Sequence, residues 1–132
     1  MLIIIGETPL SKNQYTNMHW GARARYKQRI LQHMVLDMVY RDYRENKKDY
    51  KGVNKPPWEK ADLIFRLFFN EKIKRNRDIQ NYLGGGLIAW IDNLVKLDIL
   101  KDDSAKNIGQ PQVELLDEAV VVRTEIRIIR KE

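Results

Sequence analysis

The stretch "ADLIFRLFFNEK", residues 61–72, decides how the chain is read. In an extended chain Leu63, Phe65, Leu67 and Phe69 fall on one face, while Ile64 and Phe68 fall on the other. Apolar groups on both faces mark a strand covered on both sides, so this segment is expected at the centre of a sheet. The preceding "KKDYKGVNKPPWEK" carries a glycine and two prolines. It cannot continue a helix and is expected as an exposed connection.

Further upstream, Tyr26, Ile30, Leu31, Met34, Val35 and Met38 recur at the three-and-four spacing of one helical face, which predicts a helix from Ala22 to about Asn46. Arg23, Arg25, Lys27 and Arg29 crowd its first turns, where the helix dipole disfavours cations. Such charge either faces a phosphate or other anion, or forms a solvated basic face. The opening "MLIII" is apolar and β-branched, and "GETPLSKNQY" follows with turn-forming residues. A first strand running into a polar loop is expected.

Downstream, three glycines at 84–86 precede an amphipathic segment with Leu87, Ile88, Ile91, Leu94 and Val95 on one side, predicting a helix from Leu87 to Leu97. "KDDSAKNIGQPQ" ends it. In "QVELLDEAVVVRTEIRIIRKE" two extended runs are separated by "DE", with Val120, Val122, Thr124, Ile126 and Ile128 alternating against Val121, Arg123, Glu125 and Arg127. A terminal hairpin is expected. The order β-α-β-α-β-β describes an α+β protein, a mixed α/β layer in which two helices pack on a small mixed sheet. No repeat or linker divides it, so residues 1–132 form a single domain.

Lys and Arg outnumber Asp and Glu by 24 to 18, a net charge of +6, which favours a polyanionic partner such as nucleic acid. With no cysteine, a disulfide framework and thiolate metal sites are excluded, and a cytoplasmic location is expected. No apolar run is long enough to cross a bilayer.

The charge is concentrated in "KIKRNRDIQN", residues 72–81, where Lys72, Lys74, Arg75 and Arg77 stand against Asp78. Asp78 is expected just past the central strand, and Asp102 and Asp103 just past the following helix, where chain ends expose side chains. Clustered carboxylates repel unless a cation shares the site, and a hard divalent ion such as Mg²⁺ takes oxygen ligands. Carboxylates beside phosphate-holding cations suit metal-assisted phosphodiester cleavage, although Asp-Asp-Ser is also ordinary turn chemistry. The glycine triplet matches no nucleotide-triphosphate motif, so no nucleotide cofactor is expected. It is read as letting a helix start lie close to the sheet, or as letting DNA backbone approach. His19 and His33 form no zinc or nucleophile pattern. His33 is a polar helix residue, and His19 with Trp20 could touch DNA.

Three stretches in order resemble the RusA-type Holliday junction resolvases of bacteria and their prophages. "PLSKNQY" (Pro9, Ser11, Asn13, Tyr15) is similar to the P-x-S-x-N-x-Y loop of that family, "RDIQN" (Arg77, Asp78, Asn81) to its R-D-x-D-N signature, and "IDNLVKLDILKDDS" to its D-x-L segment ending in Asp-Asp. The resemblance implies a homodimeric, Mg²⁺-dependent endonuclease, with Mn²⁺ as a substitute ion, that nicks four-way DNA junctions symmetrically. It implies Asp78, Asp102 and Asp103 as catalytic, and Asp78, Asp103 and Gln80 around the metal. DNA contacts are expected from Lys12, Asn13, Tyr15, Lys72, Lys74, Arg75, Arg77 and Asn81. Gln80 stands where the signature carries its second aspartate, and "YLGGGLIAW" offers no counterpart to a lysine early in the family's second helix. Two readings follow: an active site that works with Gln80, or a catalytically degenerate, structure-selective DNA-binding protein.

Overall fold

The computed structural model describes residues 1–45, 47, 57–70, 72 and 77–131. Among these residues four strands and four helices follow in the order β1 (Leu2–Ile5), α1 (Lys12–Thr16), α2 (Trp20–Arg44), β2 (Ala61–Asn70), α3 (Gln80–Leu83), α4 (Leu87–Lys96), β3 (Gln112–Ala119) and β4 (Arg123–Arg130). The strands form one mixed sheet in the order β1-β4-β2-β3, so the chain is an α+β protein with its 61–70 segment inside the sheet as its sequence predicts. Among the described residues no helix is long and apolar enough to cross a membrane.

One face of the sheet carries the core. Ile3 pairs with Ile126, and Phe65 pairs with both Ile126 and Val113, so the inward row crosses all four strands. Tyr26, Ile30 and Met34 of α2 and Leu87, Trp90 and Leu94 of α4 close over it. The stripe on α4 differs from the expected one, because Ile88 is exposed while Ala89, Trp90 and Asn93 are buried. On the opposite face Arg66 lies between Glu125 of β4 and Glu114 of β3, with its Nε 3.0 Å from Glu114.

The terminal hairpin is not formed. β3 pairs parallel to β2 and β4 pairs antiparallel to it, so β2 separates the two strands that the sequence places side by side. The break falls at residues 120–122, and Asp117 and Glu118 lie inside β3. The apolar row of β2 explains the insertion, since a strand with buried groups on both faces is best satisfied with a neighbour on each edge.

The polar loop after β1 is more ordered than composition suggests. Ser11 caps α1, accepting from the Gln14 N–H while the Gln14 side chain accepts from the Ser11 N–H, a reciprocal capping box. The glycines meet this segment and not the sheet: a Cβ on Gly85 would lie 2.6 Å from the Leu10 carbonyl oxygen, and one on Gly86 2.8 Å from the Tyr26 hydroxyl. Without side chains there, the start of α4 rests directly on the Leu10–Lys12 backbone, and Gly86 N–H donates to Leu10 O at 2.8 Å.

Candidate active site

α4 ends sharply. Asp98 takes a left-handed conformation with φ of 59°, and the N–H groups of Ile99 and Leu100 both return to the Leu94 carbonyl. Leu100 then bridges Trp58, and Asn107 holds the outgoing loop by donating from Nδ2 to the Glu59 carbonyl at 2.8 Å. These anchors turn the Asp102–Asp103 segment back alongside the helix it has just left. There Asp103 meets Asp92 of α4 as well as Asp102.

Asp102 Oδ1 accepts the Asp103 backbone N–H at 2.8 Å. Partial desolvation, with the hydrogen bonds and charges of Asp102 and Asp92, holds the Asp103 carboxyl above the usual carboxylate range. Carboxylates close enough to raise one another's pKa favour a proton or a cation beside them. One cation is already close: Lys27 Nζ, from α2, stands 3.3 Å from Asp92 Oδ2. Asn93 secures that approach, since its Nδ2 donates to the Lys27 carbonyl at 3.0 Å from a fully buried position. Beside Asp103 opens a cleft of about 290 Å³ whose other lining residues include Ile88, Ile91, Ile108 and Pro111. Asp103 is the one charged residue among those that line it.

Asp78 has a local task. Its Oδ1 accepts the Gln80 N–H at 3.0 Å and its carbonyl accepts the Asn81 N–H, which opens α3. Gln80 and Asn81 are exposed on that turn. Among the described residues no three acidic or imidazole side chains are gathered closely enough to form a complete metal-ligand set.

The expected DNA contacts divide into exposed and engaged residues. Lys12, Asn13 and Lys72 are exposed, with Lys12 running past Gly84. Tyr15 packs on the core, 6.2 Å from the Tyr26 ring, beneath the Arg23 guanidinium. Arg77 is ion-paired with Asp117 and lies 3.9 Å above the Phe69 ring. Lys74 and Arg75 lie outside the described residues.

Two residues enter that motif reading passed over. Asp92 lies inside the quoted "IDNLVKLDILKDDS", but nothing in linear spacing tells that the chain reverses at Asp98 and brings residues 92 and 103 together. Lys27 was legible only as one cation in a basic stretch. Its available signal is that no Asp or Glu occurs from Thr8 to Leu36, so that α2 is acid-free where it meets α4.

The donor chemistry of Asp92, Asp102 and Asp103 suits a hard divalent cation. Mg²⁺ ordinarily binds through one or two protein carboxylates and completes its shell with water and substrate phosphate, so a partial protein set fits it. No family model matches the chain, and no curated protein is significantly similar to it.

Proposed function

We propose that the chain is a divalent-metal-dependent endodeoxyribonuclease acting on branched DNA, with its chemistry at Asp92, Asp103 and Lys27. The observation that carries this reading is that Asp103, which lines an open cleft, stands near Asp92 and Asp102, and that Asp92 in turn pairs with Lys27. The RusA-type resemblance supplies the substrate class, a four-way junction, and the homodimer, because two symmetric cuts need two sites related by a two-fold axis. A net charge of +6 supports a polyanionic substrate, and the lack of cysteine suits a cytoplasmic one.

Asp92 and Asp103 would hold Mg²⁺, or Mn²⁺ in its place. When bound, such an ion lowers the pKa of coordinated water and offsets charge developing on the phosphoryl oxygens. Asp102 fixes the turn through its bond to the Asp103 N–H. Lys27 is half-exposed, so its ammonium can move from Asp92 to a phosphate oxygen without leaving a buried charge behind. The exposed Lys12 and Lys72 add sequence-independent attraction to the DNA backbone.

A second reading, junction binding without cleavage, is favoured by the neutral Gln80 and by the use of Asp78 to open α3. Gln80→Asp discriminates the two. If Gln80 is a degraded ligand, the restored carboxylate tightens Mg²⁺ binding and creates or increases cleavage. No change in either, in a protein that already cleaves, leaves the chemistry with Asp92 and Asp103.

A further inference from the structure

We infer that Trp20 is a stacking platform for an unpaired nucleobase, a contact that rests on the DNA reading above. Its side chain is 78% exposed, the most exposed aromatic among the described residues, whereas Trp90 is completely buried. A solvated indole of this size is costly to leave uncovered and is typical of a surface that receives a flat partner.

The surroundings select the partner. Trp20 is the first residue of α2, and its ring lies 5.4 Å from that of His19, tilted by 39°. His19 is itself held, because its Nδ1 accepts the Gly21 N–H at 3.2 Å. One turn on, Arg23 donates to the Tyr15 and Thr16 carbonyls at 3.0 and 2.7 Å and lies 5.1 Å from the Tyr15 ring centroid, which locks α1 to α2. Lys12 and Arg25 are exposed nearby in sequence, and no Asp or Glu occurs between Thr8 and Leu36. An exposed indole opening an acid-free, cation-rich helix matches a ligand that is aromatic and polyanionic together, which is single-stranded nucleic acid.

Trp20 also shares a helix face with the candidate active site. Positions 20, 23, 24 and 27 follow the three-and-four spacing, and two turns separate Trp20 from Lys27, about 10 Å along the axis. A strand whose phosphate lies at Lys27 and Asp103 can thus place a splayed base on the indole. A four-way junction opened at its crossover supplies such bases, and continuous duplex does not.

The test is a salt-titrated comparison of binding to labelled oligothymidylate, a matched duplex and a four-way junction by wild type, Trp20→Ala and Trp20→Phe. Trp20→Ala is expected to weaken binding to oligothymidylate and junction by about tenfold, to change duplex binding by less than about twofold, and to leave the salt dependence unaltered. Trp20→Phe is expected to restore most of the affinity. In a Trp58→Phe background, oligothymidylate should quench the indole emission, since Trp90 is shielded. Wild-type affinity of Trp20→Ala for all three DNAs would overturn the stacking role while leaving the nuclease reading in place. Loss of self-association in Trp20→Ala, with DNA affinity intact, would overturn it in favour of a second copy. If wild type bound none of the three DNAs, both the stacking role and the function it rests on would fall.

Discussion

Lys27 of α2 and Asp92 of α4 meet at 3.3 Å, joining the acid-free first part of α2 to the acidic turn after α4. Both side chains are more than a third exposed, so the pair contributes under about 1 kcal/mol to stability. In the proposed nuclease its value lies in charge delivered to the reacting phosphate. Lys27→Met is therefore expected to shift the urea midpoint only slightly and to reduce junction cleavage by about 100-fold or more, which paired unfolding and single-turnover measurements would check.

Asp103 predicts a pH dependence. Desolvation and its acidic neighbours raise its carboxyl in the folded state, so folding makes its ionisation harder than in the unfolded chain. A raised folded-state pKa gives stability that is present below the unfolded value, near 3.9 for aspartate, and is lost as pH rises through the folded value. Asp103→Asn removes that loss. The variant is expected to be slightly more stable than wild type near pH 7, an effect kept small by solvent screening at this exposed position, with the advantage fading toward about pH 4. Urea midpoints at several pH values would measure it.

Tyr26 joins the two helices to the N-terminal loop. Its hydroxyl accepts from Trp90 Nε1 at 2.6 Å, within the core, and from the Leu10 N–H at 3.3 Å. Tyr26→Phe leaves both donors without this acceptor, at a cost of about 2–4 kcal/mol, and loosens the loop carrying Ser11 and Lys12. Thermal unfolding of the variant would show it.

The extent of the fold that the sequence made legible follows from where the information lies. The β2 row of Leu63, Phe65, Leu67 and Phe69 and the α2 row of Tyr26, Ile30 and Met34 are local periodicities, and all seven are buried. The Ser11-x-x-Gln14 capping signature was also legible, although it was read as loop. The neighbour of β4 was not, because strand pairing depends on which edge of β2 each strand reaches, and adjacency in sequence favours a hairpin. The glycine triplet announced a close approach but not the partner, which proved to be the Leu10–Lys12 backbone. The candidate site was half legible. Asp103 and Asp102 were read from a motif, whereas Asp92 and Lys27 join them only through the left-handed turn at Asp98 and the crossing of α2 with α4.

The most direct measurement is cleavage of a labelled four-way junction by wild type, Asp92→Asn and Asp103→Asn, with and without Mg²⁺ and beside a duplex control. The account predicts paired, Mg²⁺-dependent nicks by wild type and their loss in both variants, with junction binding retained or tightened as negative charge is removed. Absence of metal-dependent nicking by wild type, or full cleavage by either variant, would contradict it.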